Sequence, residues 1–169
     1  RHQWQITLNQ ETDRTVVITD ADGSTRRFEP DLRGGYLPES GGSAKLTDLG
    51  DGRFHLEESD GTMVAFRTDG LLDFIQDRNS NRITAVYLPD GRLSQLQHSD
   101  SRALSIQYTG DRITQITDPY GRATEYQYDA SGEYLISVLL PDGRQIGYGY
   151  ELAGTLAERH ALTEVTHPD

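Results

Sequence analysis

The sequence predicts an all-β protein in which antiparallel β-hairpin repeats stack into a curved strip of sheet. Three observations carry that expectation. A turn glycine or its stand-in recurs at Gly61, Ser80, Ser101, Gly121 and Gly143, at spacings of 19, 21, 20 and 22 residues, the mark of one supersecondary unit copied along a chain. Period-two patterning is visible in Leu104-Ser105-Ile106-Gln107-Tyr108 and Ile146-Gly147-Tyr148-Gly149-Tyr150, while no stretch sustains an apolar period of 3.6. Each copy is also too short to bury its own apolar face, so the copies must pack side by side.

Residues 1–53 lie before the repeat and read as hairpins. Val16-Val17-Ile18 and Arg26-Arg27-Phe28 flank Asp20-Ala21-Asp22-Gly23, and Leu46-Thr47-Asp48-Leu49 and Phe54-His55-Leu56 flank Asp51-Gly52; both turns contain Asp-Gly, a dipeptide favoured in type I′ hairpins. Between them, residues 30–43, rich in Gly, Pro and Ser, are expected to form a loop. Residues 54–169 then carry about five copies. Counted from each turn anchor, the third position holds Val64, Ile83, Leu104, Thr124 and Ile146, the fifth Phe66, Ala85, Ile106, Tyr126 and Tyr148, and the seventh Thr68, Tyr87, Tyr108, Tyr128 and Tyr150. Offsets of two place all of these on one sheet face.

A second turn is expected at Gly70, Gly91, Gly110, Gly132 and Gly154. After it come apolar residues three apart, Leu72/Ile75, Leu93/Leu96, Ile113/Ile116, Leu135/Val138 and Leu162/Val165. That spacing breaks alternation and predicts a bulge or corner in each returning strand. The last copy is stretched by residues 155–161, which places Arg159 and His160 at an exposed hairpin tip. The closing Thr166-His167-Pro168-Asp169 matches the start of another copy and predicts a longer array, truncated here.

Composition limits the partners. With 27 acidic against 16 basic residues and a net charge of −11, the chain is a poor match for nucleic acid or for an anionic membrane surface. It has no cysteine, so disulfides and thiolate metal sites are excluded. No apolar run approaches the length of a membrane helix, and no signal peptide opens the sequence.

The pattern Gly121-Arg122, then Tyr126-Gln127-Tyr128-Asp129, then Gly132, then Leu135-Ile136-Ser137-Val138 resembles the YD repeats of the Rhs family. Asp77-Arg78-Asn79-Ser80-Asn81-Arg82-Ile83-Thr84 is similar to the turn that opens such arrays, and residues 14–75 are similar to the segment that precedes them. The resemblance departs from the pattern at Ser80 and Ser101, which replace the turn glycine, and at Tyr150-Glu151, which replaces Tyr-Asp. It implies a β-strip that spirals into a hollow shell holding a carboxy-terminal toxic domain, exported by a bacterium to the cell surface or beyond. The self-cleaving aspartate site of such shells has no counterpart here. Expected partners are the remainder of the shell and its cargo, with self-association through a sheet edge.

Asp20-Ala21-Asp22-Gly23 lacks the first ligand of a calcium loop, and Asp77-Arg78-Asn79-Ser80-Asn81 is followed by Arg82 where such a loop needs glycine and by Leu88 where it needs the closing Glu. Both are expected to be turns. His2, His55, His98, His160 and His167 show no ligand spacing. Acidic residues are plentiful enough for a carboxylate pair, but most sit where turns favour them. No catalytic residue, metal ligand or cofactor is therefore assigned, and the chain is expected not to be an enzyme. The alternative is an adhesion module that binds carbohydrate or a partner protein, with Tyr36, Tyr120 and Tyr134 as loop aromatics for stacking on sugar rings.

Overall fold

The structure, a computed structural model, describes residues 4–33, 35–152 and 160–167. It is all-β: the described residues form sixteen strands and no helix. In chain order these are β1 (Thr7–Gln10), β2 (Val16–Thr19), β3 (Thr25–Pro30), β4 (Tyr36–Pro38), β5 (Lys45–Asp48), β6 (Phe54–Glu57), β7 (Met63–Phe66) and β8 (Leu72–Gln76). There follow β9 (Arg82–Tyr87), β10 (Leu93–His98), β11 (Ala103–Thr109), β12 (Arg112–Thr117), β13 (Ala123–Tyr128), β14 (Leu135–Leu139), β15 (Gln145–Tyr150) and β16 (Leu162–Thr166). Internal contacts divide the chain into two compact units. The first runs to Val86 and takes in Leu96–Ser101; the second comprises Tyr87–Gln95 and the residues from Arg102 on.

In the first unit each strand is antiparallel to its sequence neighbour, and the apolar residues align in rows across the sheet. One row runs through Tyr36, Leu46, Leu56, Val64 and Ile75, and another joins Phe54, Phe66 and Leu72. Val16, Ile18, Phe28, Leu46, Leu56, Phe66 and Leu72 are all less than 2% exposed, which makes this unit the chain's densest core. The ends of the run β1–β8 meet. Thr7 bridges Leu71, and the Leu8 amide donates to the Gly70 carbonyl at 2.8 Å. Nearby turns are tied by Arg26, whose Nη1 donates to Glu58 Oε1 at 2.5 Å and Nη2 to Asp20 Oδ1 at 3.3 Å. Burial works against its charge, but the two carboxylates outweigh that and its pKa is raised.

All five repeat anchors adopt the left-handed backbone, with φ of 84° at Gly61, 67° at Ser80, 76° at Ser101, 78° at Gly121 and 84° at Gly143. Glycine suits that conformation, and serine adopts it at a cost. Of the second-turn glycines, Gly70, Gly91, Gly110 and Gly132 are left-handed too. Gly154 and Arg159 lie outside the described residues, as do His2, Pro168 and Asp169. His160 closes the last turn instead: Glu151 N donates to Ala161 O, His160 N donates to Glu151 O, and His160 has φ 73°.

Among the described pairings, four of the five apolar pairs three apart, all but Leu93/Leu96, are explained by one repeated bulge. Phe66 faces Leu72 while Ala65 faces Phe74, leaving Asp73 as the extra residue. Thr114, Ile136 and Thr163 are the extra residues in β12, β14 and β16. One added residue converts a spacing of three into a same-face pair, so Leu135 and Val138 both lie on the face of Tyr126 and Tyr128. The bulge residue Ile136 is 42% exposed.

Three local expectations are corrected. The Asp20–Ser24 turn is not type I′: Gly23 N donates to Asp20 O and Asp20 N to Ser24 O, and Gly23 alone of its residues has positive φ. That is the three-residue hairpin, a type I turn followed by a left-handed glycine. At Leu49–Arg53 the left-handed residues are Gly50 and Gly52 with Asp51 between them, which also excludes type I′. Second, residues 30–43 are not wholly loop, because β4 pairs Phe28 with Pro38 and Pro30 with Tyr36. Third, Thr68 is exposed in a turn. The Arg67–Leu71 turn ends β7 at Phe66, so Phe66 takes the place held by tyrosine in later copies.

Candidate functional site

Many of the aspartates build turns. At the position before the left-handed glycine, Asp22, Asp60, Asp90 and Asp142 each accept the amide two residues ahead. A second arrangement places the aspartate at the start of the turn: Asp118 accepts from the amides of Tyr120 and Arg122, and Asp129 from those of Ser131, Glu133 and Tyr134. The Ser131 hydroxyl and the Tyr134 amide hold Asp129 down to a pKa of about 2. Hydrogen bonds from Arg53, Arg92 and Arg144 likewise lower Asp51, Asp90 and Asp142. A general acid needs a raised carboxyl pKa, and these are all shifted the other way.

The two partial calcium loops are turns of this kind. Asp20 pairs with Arg26, and Asp22 Oδ1 accepts from Ser24 N at 2.8 Å. Asp77 accepts from the amides of Asn79 and Asn81 and from the Asn81 side chain. Among the described residues no group of three or more His, Cys, Asp and Glu is gathered where a metal ion could sit. The described histidines are dispersed: His55 packs edge-on against Phe74 at 5.9 Å, His98 pairs with Asp100, and His167 is exposed beyond β16.

The three candidate stacking tyrosines have different fates. Tyr36 is corrected from loop platform to core: it is 6% exposed in β4, accepts a hydrogen bond from Gln10 Nε2 and packs edge-on against Phe54. Tyr120 is 73% exposed in its turn, with the Arg122 guanidinium 5.5 Å from its ring centroid. Tyr134 anchors a cluster. Its ring lies 4.9 Å from Tyr150 and stacks at 15° on His160, its hydroxyl meets His160 Nδ1, and Glu133 Oε1 lies 3.5 Å from the same nitrogen. The sequence placed His160 at a loop tip but gave no sign of this stacking, because the insertion separates it from Tyr134 by 26 residues.

Two of the seventh-position tyrosines do something that spacing alone did not show. Tyr108 donates its hydroxyl to the Leu93 carbonyl at 2.8 Å, and Tyr150 donates to the Leu135 carbonyl at 3.1 Å, each reaching back fifteen residues. These bonds occupy polar atoms at a half-buried sheet face. Burial raises the Tyr108 pKa, opposed by Arg92.

On the opposite face of the second unit, polar side chains meet across strands: Gln95 with Ser105, Gln115 with the Glu125 carboxylate, and Ser137 with Gln127. No protein-family model matches this chain, and no similar curated protein was found.

Proposed function

We propose that the chain is a non-catalytic structural module, a segment of wall in a YD-repeat shell of the Rhs type that sequesters a toxic cargo and is exported to the cell surface or beyond. The observation that carries this reading is the recurrence of one bulged hairpin, with its extra residue at Asp73, Thr114, Ile136 and Thr163. The substantial strand contacts run between sequence neighbours, so further copies extend the sheet without redesign of earlier ones. The turn aspartates support the same reading, since their hydrogen bonds and lowered pKa values serve backbone geometry.

The test is protease protection of the whole polypeptide that carries this segment. A carboxy-terminal fragment that survives protease in the native protein, and is degraded when expressed without the repeats, supports enclosure. Equal degradation in both settings overturns it. A second reading, adhesion to carbohydrate or to a partner protein, is favoured by the half-exposed Tyr134, Tyr150 and His160 cluster; retention on a glycan array that is lost in Tyr134→Ala would establish it.

A further inference from the structure

We propose that the sheet face around Phe74 and Arg82 is a docking site for a partner-protein segment that presents a single carboxylate beside an apolar side chain. Met63, Gln76 and Arg82 face one another across β7, β8 and β9, and His55, Ala65 and Phe74 form the neighbouring row on the same face. The Arg82 guanidinium lies 3.9 Å from the Phe74 ring centroid and donates from Nε and Nη2 to Gln76 Oε1 at 2.9 and 2.6 Å. His55 meets the same ring at 5.9 Å, reaching past the small Ala65. Neutral groups therefore hold this cation in place. Among the described residues no carboxylate pairs with it, whereas Arg53, Arg92, Arg122 and Arg144 each pair with an aspartate of their own turn.

Other copies build the same turn and bulge without this cluster. In the Asp118 turn, Arg122 donates its amide to Oδ1 and its Nε to Oδ2 of the aspartate. In the Asp77 turn Asn81 fills both places, with its amide on Oδ1 and its Nδ2 on Oδ2, and the arginine stands one residue later, on the face of β9. The matching positions elsewhere are Met63, Ala103, Ala123 and Gln145. Phe74 follows the bulge residue, a place held by Gln115, Ser137 and Glu164 in β12, β14 and β16. A ring and an unneutralised cation thus stand together where the repeat has uncharged or polar residues.

The chemistry of the guest follows from what is left open. Gln76 takes N–H groups of Nε and Nη2, which leaves the Nη1–Nη2 edge, the fork that a carboxylate fills with two parallel bonds. Phe74, Met63 and His55 are half-buried beside it, and Phe, Met and Arg are residue types enriched at protein interfaces. The net charge of −11 repels the run of charges on an acidic polysaccharide more than one carboxylate on a protein. This inference does not rest on the chain being part of a wall.

The probe is N-acetylleucine, a lone carboxylate beside an apolar side chain, titrated into the whole chain and followed by NMR at the Arg82 Nε–H and the ring protons of Phe74 and His55. Saturable binding is expected, weakened about tenfold or more by Arg82→Gln and also weakened by Arg82→Lys, which keeps the charge but not the fork. Because a changed arginine could disturb β9, Gln76→Glu provides a second arm. It supplies Arg82 with a carboxylate from the facing strand, so stability in urea should hold or rise while binding falls. Neutral N-acetylleucinamide should not bind, and galacturonate, a carboxylate on a polar sugar ring, should bind about tenfold more weakly or less. Absence of saturable binding, shifts elsewhere than this face, binding unchanged by Arg82→Gln or Gln76→Glu, or equal binding by the amide or by galacturonate would overturn the proposal.

Discussion

Leu8 and Gly70 hold each other in place from 62 positions apart: the Leu8 amide donates to the Gly70 carbonyl, and a Cβ on Gly70 would lie 2.1 Å from the Leu8 carbonyl oxygen. Gly70 therefore has two reasons to be glycine, its φ of 77° and the backbone that passes beside it. Gly61, in the same unit with φ 84°, has only Arg78 side-chain atoms near its missing Cβ, at 3.5 Å or more.

Gly61→Ala should cost about 1–2 kcal/mol, the left-handed penalty alone. Gly70→Ala should cost more than about 3 kcal/mol, since the clash is with backbone and the β1 contact must open. Urea denaturation of both variants checks this; equal costs would show that the Leu8 contact adds nothing.

Ser80 and Ser101 hold left-handed positions that glycine fills in the other copies. Replacing Ser101 with Gly removes strain of about 1–2 kcal/mol while adding chain entropy of about 0.5–1 kcal/mol, so the variant should gain between about 0 and about 1.5 kcal/mol. A loss in thermal denaturation would mean that the serine side chain contributes more than its backbone costs.

Tyr150→Phe deletes the hydroxyl that bonds the Leu135 carbonyl and should cost about 0.5–1.5 kcal/mol, as should Tyr108→Phe. Tyr120→Phe, at an exposed turn, should stay within about 0.5 kcal/mol. Finding all three alike would remove the repeat-spanning bond as a source of stability.

Acid sensitivity should track the turn aspartates. Asp129 has its pKa lowered from 3.8 to about 2 by Ser131 and the Tyr134 amide, so it stabilises the fold above the unfolded value, and that contribution is lost as pH falls through about 2. Asp129→Asn should therefore flatten stability against pH across this window, measured by chemical denaturation at successive pH values. An unchanged acid limb would show that the carboxylate's charge does not matter to the turn.

Local features of the fold were legible in the sequence. The five left-handed anchors and the bulges could be read because each is specified by a glycine, serine or apolar pair within a few residues. Long-range features were not. Nothing near Gly70 announces Leu8, and Tyr36 reads as a loop residue among Gly and Pro until β3 and Leu46 are seen to flank it. The Tyr134–His160 stack was equally hidden, because it depends on how a lengthened turn folds back. Thr68 was misplaced because a count from Gly61 cannot show that the Arg67–Leu71 turn ends the strand two residues early.

If the repeated bulged hairpin builds a strip of sheet in which each copy needs only its neighbours, an inserted copy should fold in place. The most direct measurement duplicates residues 122–143, one period between anchors, immediately after Gly143, and compares the lengthened protein with the original by circular dichroism, hydrogen exchange and urea denaturation. The expected result is a folded protein with added strand signal, protection in the new copy equal to that in its template, and a larger denaturant slope from the added buried surface. A lengthened chain that aggregates, or whose inserted copy exchanges as if unfolded while the flanking strands stay protected, would contradict it.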